Sequence, residues 1–361
     1  MTPSFDDNNF LFEFVVKNGN GVKGLVDSGI SKVPKRYIQP LNERIEELYS
    51  TTSQESAIDL SKLDGPDHDQ LVKAISRAAE KFGFFQVVNH GVPLELLESL
   101  KVCAHGFFGQ EPEAKGIYLK EVSPSPLVKY GTSFVPEKEK ALEWKDYVSM
   151  VYTNDADALQ HWPKQCKEEA LGYLKTSMKM IKRVLEILFE NLGVEVESSR
   201  VESSVGLKMV NMNFYPKCPN PELTVGVGRH SDMGTLTILL QDGIGGLHVK
   251  VEEDLKEKWI EIPALEGALV INVGDALQIL SNGKYKSAEH RVRTTSKQSR
   301  VSIPIFTSPL PTEKIGPLPQ LVERDGEARY KEIIFGDYMT NFFGKAHDGK
   351  NSLHFAKTNS P

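Results

Sequence analysis

The hydrophobic positions of this chain change their spacing once, near residue 207. Before that point, apolar residues recur at intervals of three and four over 71–82 and again over 171–192. Such intervals predict amphipathic helices. From 207 to 306 the period falls to two, in short stretches separated by turn residues, and this predicts β-strands. We therefore expect a helix-rich region followed by a β-rich region.

Local signals sharpen the first region. Gly83 is placed to end the first helix, and the sequence FFQVVN at 84–89 predicts a short buried strand. A second helix is expected after Pro93. Residues 57–60 predict a short strand, whereas 120–165, rich in Pro, Gly and charge, predict long loops with short strands.

The longest predicted helix covers 167–192. Its alternating spacing also suits a coiled coil. The pattern lasts only about three heptads and ends at Gly193, so we favour a helix packed on the core of its own domain.

Short strands dominate the second region, and turn markers separate them. Gly245-Gly246 and Asn282-Gly283 are hairpin or turn signals. Many short antiparallel strands within about 100 residues are typical of a jelly roll. The predicted strands are LKMVNMNFYP, LTILLQ, LHVKV, KWIEIPA, ALVINV, LQILSNG, YKSAEHRVRTT and RVSIPIF. The fold class is thus mostly β, with surrounding helices and a jelly-roll core.

These patterns divide the chain into four parts. Residues 1–55 form an irregular arm, docked through the apolar cluster Phe10–Val16. Residues 56–200 form a mixed region with the long helix, and 201–310 form the jelly-roll core. Residues 311–361 form a lid and tail, in which 328–343 is expected to be helical and to close the mouth of the barrel.

Composition narrows the class of protein. The chain has 361 residues, a net charge of −6 and three cysteines without close spacing. The charge disfavours nucleic acid, which needs a basic footprint. No stretch reaches the roughly 18 apolar residues of a membrane span, and the N-terminus lacks a leader pattern. A cytoplasmic enzyme acting on a small molecule, without nucleic-acid or membrane partners, is the expectation.

The candidate chemistry begins with three residues in the β-rich region. His230 and Asp232 are two apart at a predicted strand end, so both face one side, and His290 follows a turn signal in another strand. Two imidazoles and one carboxylate are the ligand set of non-haem Fe(II) oxygenases, although zinc accepts the same donors. We assign the remaining histidines structural or surface roles, with His90 and His248 near the core: His68, His90, His105, His161, His248, His347 and His354.

A second pair repeats this spacing ten residues beyond His290. Arg300 and Ser302 are predicted to point inward from the same sheet, and an inward guanidinium is costly unless an anion meets it. A guanidinium pairs with a carboxylate in a bidentate fork. A dicarboxylic keto acid therefore fits this pair, with Tyr215 as a further donor.

Three long motifs resemble the plant 2-oxoglutarate- and Fe(II)-dependent dioxygenases of specialised metabolism. They are NFYPKCPNPELTVGVGRHSDMGTLTILLQD, GDALQILSNGKYKSAEHRV and SRVSIPIF, with FGFFQVVNHGV upstream. The resemblance covers about 57–343 and implies a distorted double-stranded β-helix. It matches the metal ligands to His230, Asp232 and His290. It matches the 2-oxoglutarate anchor to Arg300, Ser302, Tyr215 and Asn213. Phe214 stands where many members carry Tyr.

Within that family the resemblance is to the coumarin-forming branch, on FVVKNGNGVKGLVDSGISKVP and YLKEVSPSPLVKYGTSFVPEKEKALEWKDYVSM. It implies hydroxylation of a phenylpropanoid with Fe(II), O₂, 2-oxoglutarate and supporting ascorbate. We expect a monomer. The preferred reaction hydroxylates scopoletin at C8 to give fraxetin and converts 2-oxoglutarate to succinate and CO₂. Three alternatives remain: 6′-hydroxylation of feruloyl-CoA, a catalytically silent binding protein of the same fold, and an oxidase that does not use 2-oxoglutarate.

The predicted substrate pocket is aromatic. Its candidate residues are Phe306, Tyr130, Phe134, Phe342 and Phe343. Lys129 and Lys145 lie in loops bordering the site, where they would be solvated or would meet the phosphates of a CoA thioester. Lysines between 120 and 145 alternate with acidic residues, so their net field is small, and this favours a free coumarin over a CoA thioester.

Overall fold

The structure, a computed structural model, describes residues 5–45, 57–194, 197–253 and 256–358. Parts of the predicted arm, residues 1–4 and 46–55, lie outside these ranges. Within them, no helix combines the length and the apolar character needed to traverse a lipid bilayer.

The described strands form a large sheet, a small sheet and a separate pair made of the last two strands. They are β1 (Ile58–Asp59), β2 (Phe84–Val88), β3 (Val128–Thr132), β4 (Asp146–Tyr152), β5 (Leu207–Tyr215), β6 (Val227–His230), β7 (Leu236–Gln241), β8 (Leu247–Glu253), β9 (Lys256–Ile262), β10 (Leu269–Val273), β11 (His290–Val292), β12 (Arg300–Ser308), β13 (Lys314–Ile315) and β14 (Ile333–Ile334). Among the described residues, the large sheet runs β1-β2-β10-β7-β12-β5-β4-β3, and the small sheet runs β6-β11-β8-β9. Most pairings are antiparallel, and the predicted jelly roll is confirmed.

Alternation along the large sheet separates its two faces. In β12, Ile303 and Ile305 point into the main core, whereas Ser302, Pro304 and Phe306 line a cavity between the sheets. The same alternation holds in β5 and β7. One face of the large sheet is thus covered by helices, and the other lines the cavity.

Helices cover the outer face of the large sheet. The α-helices are α1 (Asn8–Phe12), α2 (Gly21–Asp27), α3 (His68–Lys81), α4 (Leu94–Phe108), α5 (Pro112–Gly116), α6 (Asp155–His161), α7 (Lys167–Asn191), α8 (Ser198–Ser204), α9 (Asp275–Leu280), α10 (Pro319–Asp325) and α11 (Phe335–Phe343). The long helix α7 packs on α3 and α4 and buries one side in the main core. It is a core-packing helix, as predicted, and Gly83 follows α3 with a positive φ of 68°.

The described part of the arm is more regular than predicted. It holds α1, a π-helical turn at Glu13–Lys17 and α2. Asp7 caps α1 by accepting hydrogen bonds from the next turn. The buried Asp146 accepts from the backbone amides of Val22 and Lys23 at 2.8 and 2.9 Å. Gly19 lies in the turn before α2 and Gly21 begins that helix, both with positive φ, so these glycines connect regular elements.

Two stretches differ from the predicted elements. The segment LQIL, predicted as a strand, is part of α9. Short apolar runs are compatible with both structures, and Asn282 and Gly283 end this helix in left-handed conformations. Of 328–343, only Phe335–Phe343 is helical, because Ile333–Ile334 pairs with Lys314–Ile315. Within 120–165, α6 was not predicted.

The chain then returns to the small sheet. We call residues 344–357 the C-terminal strap. Gly349 forms a parallel bridge with His230, the last residue of the edge strand β6, and its amide donates to the Arg229 carbonyl at 2.9 Å. The Lys350 amide donates to Glu289 at 3.1 Å. Gly349 has a φ of +79°, and an added Cβ would collide with Glu289. The strap is therefore fixed across the edge of the barrel.

Candidate active site

Three donor atoms converge at one end of the cavity. His230 ends β6 and lies opposite His290, the first residue of β11, in the sheet register. Asp232 follows two residues after β6. Its Oδ1 lies 3.7 Å from His230 Nε2 and 3.6 Å from His290 Nε2. Within the described ranges, this is the group of His, Cys, Asp or Glu side chains arranged to hold a metal ion.

Hydrogen bonds orient each of these donors. His230 Nδ1 donates to the Gly228 carbonyl at 2.9 Å, and His290 Nδ1 donates to the Ala288 carbonyl at 3.2 Å. A donating Nδ1 leaves the Nε2 lone pair available for a metal. Burial, together with the neighbouring His290, holds the pKa of His230 well below its usual value, which keeps the ring neutral and ready to bind a cation.

The carboxylate is held by residues that the sequence analysis missed. Asp232 Oδ2 accepts from Thr237 Oγ1 at 2.6 Å and from Asn272 Nδ2 at 2.8 Å. Oδ1 is left to face the two imidazoles. Thr237 and Asn272 lie on the cavity face of adjacent strands, β7 and β10, so an inward polar residue in a predicted strand was the available signal. The donor set of two imidazoles and one carboxylate fits Fe(II).

The anion anchor lies across the cavity. Arg300 is 1% exposed, and its Nη2 donates to Gln241 at 2.9 Å. Among the described residues, its Nε and Nη1 have no hydrogen-bond partner. A buried guanidinium with two unused donors needs an anion. Ser302 Oγ lies 3.5 Å from Tyr215 Oη beside it.

One expectation about this anchor was wrong. Arg300 and Ser302 do not share a sheet with His290: β12 belongs to the large sheet and β11 to the small one. The candidate metal ligands and the Arg300–Ser302 pair therefore face each other across the barrel. This placement suits a co-substrate that bridges the two sheets, with a carboxylate at each end.

The cavity between the sheets has a volume of about 450 Å³. Phe306, Phe134, Phe342 and Phe343 line it, and so does Asn213. Tyr130 does not. Its ring lies in the main core, 6.1 Å from the ring of Phe107, because strand alternation in β3 turns the neighbouring Lys129 toward the cavity instead.

His347, assigned a structural or surface role from sequence, lies in the site. Its ring stacks on that of His230, with centroids 4.4 Å apart and planes at 17°. Its Nδ1 lies 2.7 Å from Glu143 Oε1. Nothing in the local sequence marks this residue, since the C-terminal strap carries it there from 117 residues downstream. His90 and His248, which were expected near the core, are buried.

Lys145 also departs from expectation, because it is buried rather than solvated. Its Nζ lies 3.1 Å from Glu143 Oε2, and both side chains are under one-tenth exposed. Burial alone would raise the pKa of Glu143, but Lys145 and His347 lower it to about 2. The carboxylate is therefore ionised and its charge is balanced inside the protein, which leaves Lys145 unsuited to a CoA phosphate.

Comparisons with known proteins also indicate a dioxygenase. A family model described as the N-terminal region of non-haem dioxygenases in morphine synthesis matches residues 56–169, and the 2OG-Fe(II) oxygenase superfamily model matches 207–309. A crystal structure of JOX2 in complex with 2OG, Fe and JA is 33% identical, covers 93% of this chain and 97% of that one, and has a TM-score of 0.81. A dioxygenase for auxin oxidation from rice shares the fold at a TM-score of 0.69 and 24% identity.

Curated relatives resolve the branch. The chain is 65% identical to scopoletin 8-hydroxylase of Arabidopsis thaliana over 99% of both chains. It is 52% identical to a feruloyl CoA ortho-hydroxylase of Ipomoea batatas over 97% of both chains. The chain is thus an enzyme of the plant 2-oxoglutarate- and Fe(II)-dependent dioxygenase family, in the branch that holds these coumarin-related hydroxylases.

Proposed function

We propose that this dioxygenase hydroxylates scopoletin at C8 to give fraxetin, converting 2-oxoglutarate to succinate and CO₂. The observation that carries the proposal is the 65% identity, over nearly the whole chain, to scopoletin 8-hydroxylase. The relatives named for CoA thioesters share 47–52%.

The roles of the metal ligands follow from their hydrogen bonds. We assign Fe(II) to His230, Asp232 and His290, whose second polar atoms are already bonded to the protein. When bound, the iron would supply the oxidative chemistry with O₂ and 2-oxoglutarate. The protein supplies placement, because all three donors are fixed before the metal arrives.

The co-substrate roles rest on the opposite wall. We assign the distal carboxylate of 2-oxoglutarate to Arg300 and Ser302, with Tyr215 completing the anchor. Asn213 lies nearby, bonded to Asn211 at 3.1 Å. The unused guanidinium donors are the feature that this assignment explains, since two N–H groups of Arg match one carboxylate.

The cavity suits a flat aromatic substrate. Its wall joins aromatic rings to a few polar groups, as is common for small-molecule sites. Phe306 is the ring expected to stack on the substrate, with Phe134, Phe342 and Phe343 closing the wall from α11 and the loop after β3. A coumarin needs no further charge compensation, whereas a CoA thioester does.

One observation favours feruloyl-CoA as a second candidate. Lys129 lines the cavity and is partly buried, and this burial lowers the pKa of its ammonium. A nearby phosphate would raise the pKa of that lysine again. The ion pair of Lys145 with Glu143 argues against feruloyl-CoA, because the charge of that ammonium is already balanced.

The deciding experiment compares kcat/KM for scopoletin and feruloyl-CoA with identical Fe(II), 2-oxoglutarate and ascorbate, and identifies products by mass spectrometry. We expect a higher value for scopoletin and oxygen at C8. A higher value for feruloyl-CoA would overturn the substrate proposal, and the dioxygenase class would stand. Succinate release without any aromatic product would point to another substrate.

We also propose a cytoplasmic monomer that acts on small molecules alone. The described cysteines, Cys103, Cys166 and Cys218, form no disulfide with one another, which suits a reducing compartment. Light scattering during gel filtration tests the monomer, and microscopy of a tagged chain tests the compartment.

A further inference from the structure

His347 is the middle ring of a three-ring stack. One face lies on the iron ligand His230. The other face lies on Phe134, with centroids 3.9 Å apart and planes at 15°. All three side chains line the cavity. The stack therefore runs from the metal ligands to the aromatic wall, and His347 stands where the two meet.

The hydrogen bonds of His347 fix the roles of its nitrogens. Glu143 Oε1 accepts from the Gly228 amide at 2.7 Å and lies 2.7 Å from His347 Nδ1, while Oε2 pairs with Lys145. A carboxylate can only accept, so Nδ1 carries the proton. In a neutral imidazole, Nε2 is then a hydrogen-bond acceptor.

The backbone around His347 keeps the ring in place. Two residues later, Gly349 is bonded to the edge strand β6, and Lys350 is bonded through its amide to Glu289 and through Nζ to Gln278 at 2.9 Å. The ring is thus held by stacking on both faces, by a carboxylate at one nitrogen and by the C-terminal strap. Such fixed groups serve recognition better than mobile ones.

Several other polar groups of the cavity are already engaged or cannot accept a hydrogen bond. Ser149 Oγ donates to Asn211 at 2.8 Å, and Asn211 donates to Asn213 at 3.1 Å. Lys145 can only donate, and Arg300 faces the co-substrate. Beside the ring stack, His347 Nε2 is therefore an acceptor suited to a hydroxyl donor.

We propose that His347 Nε2 accepts a hydrogen bond from the phenolic hydroxyl of the substrate and so turns the neighbouring ring carbon toward the iron site. This inference rests on the proposed function: in scopoletin, the hydroxyl on C7 is next to C8. His347 acts here as a substrate-binding and positioning residue. It selects a free phenol over an analogue without that hydroxyl.

The test compares two ligands under nitrogen, with Fe(II) and 2-oxoglutarate bound: scopoletin and 6-methoxycoumarin, which lacks the hydroxyl. Calorimetry gives each Kd. We expect the wild type to bind scopoletin about tenfold more tightly, as a net hydrogen bond of this kind provides. His347→Phe keeps a ring in the stack and removes the acceptor, so its two Kd values should be equal.

The matched control is His354→Phe, the same substitution at an exposed position of the C-terminal strap, and it should keep the wild-type ratio. His347→Gln, with one amide able to meet both Glu143 and the hydroxyl, should recover part of the ratio. With scopoletin, His347→Phe should also spread hydroxylation over more than one ring position.

Equal Kd values in the wild type would overturn the inference whether or not the variants fold, and so would an unchanged ratio in His347→Phe. Either result, together with C8 hydroxylation of scopoletin, leaves the proposed function intact. If the wild type neither binds nor hydroxylates scopoletin, the proposed function and this inference fall together.

Discussion

Two ends of one cavity are built in different ways. What we call the metal end comprises the candidate ligands His230, Asp232 and His290 together with the facing pair Arg300 and Ser302. These side chains all lie within about 70 residues, on or next to paired strands. The aromatic end consists of Phe134, Phe306, Phe342, Phe343 and His347, which come from three distant segments. Hydrogen bonds fix the metal end, and ring packing forms most of the aromatic end.

The difference separates chemistry from substrate choice. Backbone pairing sets the distances at the metal end, so a change there alters the reaction itself. At the aromatic end, a side chain can change its size while the iron ligands keep their places. A family with this arrangement can vary its substrates without rebuilding its chemistry.

The comparison would break first at the metal ligands. Replacing His230, Asp232 or His290 with Ala should abolish turnover while the fold survives, because each loss removes a donor to iron. Succinate and product formation at saturating Fe(II), with circular dichroism, measure this. Asp64→Ala, at an exposed carboxylate, is the control. Near-normal activity in any ligand variant would refute the assignment.

Arg300→Lys should raise the KM for 2-oxoglutarate by about 10–150-fold, since losing a charged hydrogen bond costs about 1.5–3 kcal/mol. The charge remains, but the bidentate fork is lost. The KM for the aromatic substrate should change far less. Equal changes in both KM values would count against the anchor role.

Thr237→Val tests the support of Asp232. Removing the hydroxyl deletes one of the two donors to Oδ2, so the carboxylate should lose orientation and iron affinity should fall about tenfold, as for other groups that hold metal ligands. Activity titrated with Fe(II) reports the change. Thr176→Val, on α7 and away from the site, should need no extra iron.

Phe306→Leu probes the aromatic end. The loss of a ring contact worth about 0.5–1.5 kcal/mol should raise the Kd for the coumarin roughly 2–12-fold. The KM for 2-oxoglutarate should stay constant, because Arg300 and Ser302 are untouched. A larger effect on 2-oxoglutarate than on the coumarin would show that the two ends are not separable.

The smallest effect is expected at Tyr130. Its hydroxyl is buried, with no hydrogen-bond partner in the described chain, so Tyr130→Phe removes a polar group that gains nothing from burial. Activity should be unchanged, and the melting temperature should stay the same or rise. A raised KM for the aromatic substrate would restore Tyr130 to the pocket.

The contrast also explains what the sequence could reveal. The convergence of His230, Asp232 and His290 could be predicted because these residues sit at strand spacing within short motifs; their role as iron ligands stays a prediction. The sequence also indicated the long helix, the jelly roll and most strands. The division at residues 55, 200 and 310 stays a prediction. The large sheet takes strands from both sides of residue 200.

The failures have physical causes. Tyr130 was misplaced because one residue of strand register exchanges core and cavity faces. The LQIL segment was wrongly predicted as a strand because all its residues are buried, so its hydrophobic pattern shows neither a helical nor a strand period. His347 was missed because its position depends on the return of the C-terminal strap, a long-range contact that local spacing does not encode.

That strap has a consequence for how the protein is made. During synthesis, β6 leaves the ribosome well before residue 349. Without Gly349, the edge of the small sheet has unpaired backbone groups, which can pair with other chains. A chain truncated after α11 would therefore keep His230, Asp232 and His290 but leave the edge strand β6 uncovered. Aggregation, more than weak catalysis, is the outcome expected of such a truncated product.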